Sequence, residues 1–185
     1  MLLVVAATEA ELRGAFGAES LVCGIGPVDA AAATARALAE QPPAAVLQVG
    51  IAGCRGGRGL QPGQLVIGSE SLYCDPDSRL VAAHLEPPSR LLGAAEAALP
   101  SAAVRPIGTS ARVGGTSGCD VEGMEGFAVL RAARLAGIPA LEVRAVSNEI
   151  DEPDRRSWRF EDALAALERA VPLLVAALDD GAGAP

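Results

Sequence analysis

Glu11 follows an apolar run of strand length at residues 2–6, so it falls at the carboxyl end of a first strand, the edge where open α/β sheets gather ligand-binding groups. A glutamate there can orient and deprotonate a small nucleophile, or it can be a solvated surface acid. A second set of acids, Asp120-Val121-Glu122-Gly123-Met124-Glu125-Gly126, precedes a helical stretch. Negative charge is favoured in a first helical turn, so these acids read either as a cap or as carboxylates aimed at a ligand. Glu142 and Arg144 interrupt an otherwise apolar strand at residues 139–146, and a charge buried there needs a partner. Arg144-Ala145-Val146-Ser147-Asn148 then closes that strand with a cation, a hydroxyl and an amide. Such a set can converge on a ligand; the alternative is an edge-facing arginine followed by a cap.

Much other chemistry is excluded. All 15 basic residues are arginine, which removes a Schiff-base lysine and the lysine of a phosphate-cradling P-loop. The only histidine, His84, cannot make a two-histidine zinc site, and any serine or cysteine triad would depend on it alone. Cys23, Cys54, Cys74 and Cys119 form no CxxC pair, so they read as small buried hydrophobes in a reducing compartment. No metal and no cofactor are expected. With 23 acidic residues against those 15, the charge of −8 argues against nucleic acid as a partner. Every apolar run is broken by Gly, Pro or charge before the roughly 20 residues of a membrane helix, and the start of the chain lacks the basic flank of a signal peptide. A soluble cytoplasmic protein is the expectation.

The elements that must position these residues alternate. Strands are expected at residues 2–6, 21–23, 45–49, 64–69, 104–110 and 139–146, with a further short one at 111–113. Helices are expected at 9–16, 28–40, 90–98, 126–136 and 160–178, the last kinked at Pro172, with long loops at 73–88 and 148–159. The Gly24-Ile25-Gly26 turn suggests a dinucleotide fingerprint, but position 29 is Asp where the third glycine should be, so a tight turn into a helix is the simpler reading. Gly50 to Gly53 is expected as a glycine-rich loop whose backbone approaches a ligand. The result is one α/β domain over residues 1–178, three layers α/β/α around a central mixed sheet, with a frayed tail at 179–185.

In order along the chain, VVAATEAEL (4–12), CGIGPVDAAA (23–32), LQVGIAG (47–53), residues 63–69, VEGMEG (121–126) and VRAVSN (143–148) resemble the purine nucleoside phosphorylase and nucleosidase superfamily. The resemblance is greatest to methylthioadenosine/S-adenosylhomocysteine nucleosidases and futalosine hydrolases. DRRSWRFEDAL (154–164), after VSN, is more like the latter. The resemblance implies a nucleoside phosphorylase-like fold, a purine nucleoside as the small-molecule partner, and an oligomer of two or more copies. Glu11 would orient and deprotonate the attacking water with Arg144 near it, and Glu125 would bind the ribose hydroxyls with Met124 packed on the sugar. Asn148 stands where adenine-specific relatives carry a proton-donating aspartate. An asparagine amide can donate to N7 or to a 6-oxo group, which suits hypoxanthine, the base of futalosine.

The expected reaction is hydrolysis of futalosine to hypoxanthine and dehypoxanthine futalosine, a step of menaquinone synthesis in that family. Alternatives are cleavage of methylthioadenosine, S-adenosylhomocysteine or inosine, phosphorolysis with Arg55 at the phosphate, or nucleoside binding without turnover. Gly53 and Ser147 are expected in the substrate site. Residues 111–119 are short and lack the purine-stacking aromatic of relatives, so backbone from Val113 to Thr116 is expected to contact the base. Ile51 replaces a small hydroxyl residue. Trp158 and Phe160 are either walls for the carboxyphenyl ketone at the 5′ end of futalosine, with one of Arg155, Arg156 or Arg159 pairing its carboxylate, or core packing.

Overall fold

The computed structural model describes residues 1–116 and 118–182. Strand β1 (Leu2–Ala6) leads through a 3-10 turn (Glu9–Leu12) to β2 (Glu19–Val22), then α1 (Pro27–Glu40), β3 (Ala45–Cys54), β4 (Leu65–Tyr73), β5 (His84–Leu85) and α2 (Ser89–Ala98). β6 (Ala103–Thr109), β7 (Val121–Gly123), α3 (Gly126–Leu135), β8 (Ala140–Glu149), a second 3-10 turn (Arg155–Ser157) and α4 (Phe160–Ala182) complete the chain.

Alternation along β1 assigns the layers. Leu2, Val4 and Ala6 pack into a core with Leu91 of α2 and Leu167, Leu174 and Leu178 of α4. Leu3 and Val5 point the other way, to Ala30 and Leu38 of α1 and Phe127 and Leu130 of α3. Helices thus cover both faces of a mixed eight-stranded sheet, ordered β2-β1-β3-β7-β6-β4-β5, as the three-layer expectation has it.

The sheet also does something an open layer would not. β8 pairs with β3 in parallel and with β4 antiparallel, so β3, β7, β6, β4 and β8 close into a ring. Ala52, Cys54, Val66, Ile107, Val121 and Val146 fill it. Ring closure explains two differences from the sequence expectations. Residues 50–53 are not a loop, because pairing with β8 on one side and β7 on the other carries β3 through to Cys54. Residues 121–123, expected only as acids before a helix, are a strand between β3 and β6.

Residues 111–113 are loop rather than strand. The helix expected at 9–16 shrinks to one 3-10 turn, and β2 begins and ends slightly earlier than expected. β4 and β8 run on to Tyr73 and Glu149. Pro172 sits inside α4 without ending it, and that helix continues past residue 178 to Ala182, where a frayed tail was expected. Residues 183–185 of that tail lie outside the described residues.

Candidate active site

The carboxyl ends of β1, β3 and β8 open onto a cavity of about 540 Å³. Glu11, Glu125, Arg144 and Asn148 line it. So do Gly53, Val113, Met124, Ser147, Trp158 and Phe160, so all ten candidate residues share one space.

Glu11 is held at the rim of β1 by its own neighbourhood. Its Oε2 accepts from the Thr8 backbone N–H at 2.9 Å and the Thr8 hydroxyl at 2.8 Å, and its Oε1 accepts from the Ile51 N–H at 3.0 Å. Only 5% of the residue is exposed. A carboxylate fixed this way keeps acceptor capacity on Oε1 for a water in the cavity. Ile51 therefore enters the site through its backbone, and its carbonyl also accepts from Arg144 Nη1 at 3.1 Å.

The buried charges of β8 do find partners. Arg144 Nε donates to Glu142 Oε1 at 2.8 Å and Nη1 to Glu125 Oε2 at 3.2 Å, while Glu142 Oε2 accepts from the Ser71 hydroxyl. Burial works against the charge on Arg144, but Glu142 and Glu125 outweigh it and raise its pKa, so the guanidinium stays protonated. Burial pushes the Glu142 carboxyl up, against the pull of Arg144 and Ser71. Glu125 Oε1 accepts from the Gly26 N–H at 3.1 Å. The GxG turn thus presents its helix N-terminus to a protein carboxylate, as the dipole favours.

The glycines near these acids have a steric reason. A Cβ on Gly50 would stand 2.5 Å from Arg144 Nη1, and one on Gly123 2.7 Å from Arg144 Cζ. One on Gly126 would overlap the Glu142 carboxylate. In the Glu-Gly-Met-Glu-Gly run each acid is followed by the glycine that makes room for the ion-pair chain. Gly50 was expected to admit a ligand; the approaching group is the arginine.

On the base side, Ser147 Oγ donates to Asn148 Oδ1 at 2.8 Å and Asn148 Nδ2 donates to the Glu149 carbonyl at 2.8 Å. The amide is oriented, with one N–H left over. The loop after β6 is tied from outside at residues 110, 111, 116 and 119. Asp75 takes the Ser110 hydroxyl and the Ala111 N–H, and Arg55 donates to the carbonyls of Thr116 and Cys119. Arg55, the cation of the phosphorolysis alternative, is spent on this loop and does not line the cavity. Glu122, which sequence reasoning left without a role, lines the cavity and accepts from Gly114 and Thr116.

Also lining the cavity, the Trp158 and Phe160 rings lie 5.5 Å apart, and the Arg155 guanidinium sits 5.5 Å from the Trp158 ring centre. Arg155 lines the cavity, whereas Arg156 is paired with Asp154 and Arg159 with Asp162.

Among the described residues no cysteine lines the cavity, and burial pushes Cys23 and Cys119 up to about 12. Cys74 is only partly buried, contrary to expectation, with its sulfur 3.9 Å from that of Cys119. Among the described residues no group of three or more His, Cys, Asp or Glu could hold a metal ion, and no helix is long and apolar enough to cross a membrane.

A ring-closed mixed sheet with helices on both faces, and paired glutamates at its strand ends, defines a known class. The chain belongs to the phosphorylase superfamily, whose family model matches residues 20–111 and 110–180. It is similar to the futalosine hydrolase of Streptomyces coelicolor, 34% identical over 198 residues covering 88% of this chain and 80% of that protein. It is similar also to the futalosine hydrolase of Thermus thermophilus, 32% identical over 181 residues, 84% of this chain and 80% of that protein. The crystal structure of the 5′-methylthioadenosine/S-adenosylhomocysteine nucleosidase of Neisseria meningitidis, complexed with methylthio-immucillin-A, matches with a TM-score of 0.82 at 25% identity. That match covers 94% of this chain and 97% of the other. The family and fold expected from the sequence motifs are thereby borne out.

Proposed function

We propose that this chain hydrolyses the N-glycosidic bond of futalosine, releasing hypoxanthine. The observation that carries the chemistry is the pairing of two fixed glutamates in one cavity: Glu11 with a free acceptor site beside Ile51, and Glu125 between Gly26 and Arg144. Breaking the bond builds positive charge on the ribose and negative charge on the leaving base. Glu11 orients and deprotonates the water, and Arg144 holds the neighbouring charges in place. Glu125 accepts from the ribose hydroxyls, Met124 packs on the sugar, and both acids face the cationic ribose.

Asn148, oriented by Ser147, donates to the base above Gly53, and the loop carrying Val113 closes over it. Trp158 and Phe160 wall the 5′ group. Hydrolysis is favoured over phosphorolysis because the two cavity-lining arginines do not pair. Arg144 is neutralised by two carboxylates, and Arg155 lies over the Trp158 ring. The futalosine hydrolases among the relatives support this substrate. The proposal extends to a cytoplasmic homo-oligomer serving menaquinone synthesis. Exposed Ile25 at the cavity and exposed Val28 nearby offer an apolar surface for a second copy.

Turnover of futalosine, methylthioadenosine and inosine, each with and without phosphate, tests the proposal. Phosphate-independent release of hypoxanthine, fastest from futalosine, is expected. Preference for methylthioadenosine, or dependence on phosphate, would refute it.

A further inference from the structure

Glu142 lies behind the cavity wall instead of on it: it is 1% exposed and is not among the residues that line the cavity. Both of its oxygens are committed. Oε1 accepts from Arg144 Nε at 2.8 Å, and Oε2 accepts from the Ser71 hydroxyl of β4 at 3.0 Å. Gly126, the first residue of α3, leaves it room, because a Cβ there would overlap the carboxylate. An apolar side chain of similar volume would fill this space without the cost of burying a charge, so the acid needs a role that an apolar group lacks.

That role lies on the other side of the arginine. Arg144 Nη1 donates to Glu125 Oε2 at 3.2 Å and to the Ile51 carbonyl at 3.1 Å, and the N–H of Ile51 holds Glu11. Nη1 and Glu11 Oε1 also flank Gly50, where a Cβ would stand 2.5 Å from one and 3.0 Å from the other. One cation thus faces three carboxylates. Burial works against its charge, while Glu142 first, then Glu125 and Glu11, favour it. The shorter contact is the one with Glu142, 2.8 Å against 3.2 Å. The positive charge is therefore shared, with the closer partner away from the cavity. Without the charge of Glu142 the guanidinium would fall to Glu125, and a neutralised Glu125 is a weaker acceptor for hydroxyls and a weaker counter-charge for a cation.

We propose that Glu142 is a positioning residue for bond cleavage: by holding Arg144 through Nε it keeps Glu125 anionic toward the ribose as positive charge builds on the sugar. Arg144 meanwhile still fixes the Ile51 peptide that carries Glu11. Ser71 completes the device by holding the second oxygen of Glu142. The assignment rests on the nucleosidase reading of the cavity, and it gives a charge-setting role to a residue that never touches the substrate.

Calorimetric titration of the intact protein with a matched pair of ligands tests it. One is 9-deazainosine, whose ribose is neutral; the other is its 4′-aza counterpart, in which a protonated ring nitrogen replaces the ribose oxygen. Both join sugar to base by a carbon–carbon bond that hydrolysis does not break. The wild type should bind the cationic ligand more tightly. Glu142→Gln keeps the size of the side chain, an oxygen for Arg144 Nε and a contact with Ser71, and removes the charge. It should cut the preference for the cation about tenfold, the scale of one unit charge acting at the effective dielectric of a protein interior. It should also lower kcat for futalosine by a similar factor with KM little changed. Ser71→Ala removes a hydrogen bond that favours the charged form of Glu142, and should cut the preference in the same direction by about twofold to fivefold. An unchanged preference in Glu142→Gln, or in Ser71→Ala where that variant alone folds, would overturn the assignment. Equal weakening of both ligands would do the same, since a merely structural role moves them together. If the wild type still cleaves futalosine in those cases, the hydrolase reading stands. A wild type that does not distinguish the two ligands and cleaves no nucleoside would refute that reading, and the assignment with it.

Discussion

Arg144 Nη1 lies 3.2 Å from Glu125 Oε2, with 1% of one side chain and 5% of the other exposed to solvent. On its other side the same guanidinium meets Glu142 at 2.8 Å. Removing one member of a buried ion pair leaves the others uncompensated, so Arg144→Met, close in volume, should cost about 3–5 kcal/mol of unfolding free energy. Urea denaturation at neutral pH measures it. A loss under about 1 kcal/mol would mean that water or rearrangement satisfies both acids without the arginine.

Glu125 is oriented by that arginine and by Gly26, and its charge should be felt through the ribose. A 2′-deoxy substrate is expected to lose about 1.5–3 kcal/mol of transition-state stabilisation, the range for a hydrogen bond to a charged group. Equal kcat/KM for ribo and deoxy substrates would return Glu125 to a structural partner of Gly26 and Arg144.

Glu11 is expected to behave differently, because its role is confined to the chemical step. Glu11→Gln keeps the size of the side chain and an oxygen for the Ile51 N–H, but removes the base. It should lower kcat by about two to four powers of ten with KM little changed. A matching rise in KM, or near-normal turnover, would place water activation elsewhere.

Much of this site was legible in the chain itself. Glu11 and Asn148 could be placed because each follows an apolar run of strand length, and the demand of Glu142 and Arg144 for partners follows from charge in an apolar strand. Ring closure was not legible. Nothing local in residues 140–149 says that β8 pairs with both β3 and β4, and without that pairing Gly50 to Gly53 reads as a loop. Glu122 was missed for the same reason. Its meaning depends on a three-residue strand whose register with Gly53 exists only once the ring is shut. The Glu-Gly spacing, repeated at 122–123 and 125–126, was the available signal, since a glycine after a buried acid marks a close approach by another side chain.

The thiols give a pH test of the fold. Cys23 and Cys119 are pushed up from an ordinary 9.0 to about 12, chiefly by burial. Between those values the unfolded chain ionises and the folded one does not, so stability should fall as pH rises from 9 toward 12. Urea midpoints at pH 8 and pH 10.5, compared with those of Cys23→Ala, should show a smaller drop in the variant. At pH 8 both thiols should resist alkylation until urea is added. Rapid modification of Cys23 in the native protein would contradict its burial.

Arg155 carries the last expectation, on how the 5′ end of the substrate is read. Three arginines lie close together there, but Arg156 is held by Asp154 and Arg159 by Asp162, which leaves Arg155, stacked on Trp158, to face the cavity. A guanidinium supported by an indole suits a flat aromatic carboxylate, with the ring packed on Trp158 or Phe160 and the charge on Arg155. Arg155→Ala should raise KM for futalosine about tenfold or more while barely changing that for inosine, which has no group to reach this wall. Arg156→Ala and Arg159→Ala should be near silent, since each releases only a solvent-exposed ion pair. Trp158→Ala should follow Arg155→Ala, because without the indole the cation loses its support. Equal losses on futalosine and inosine would show that the 155–160 segment holds α4 in place instead of reading the substrate.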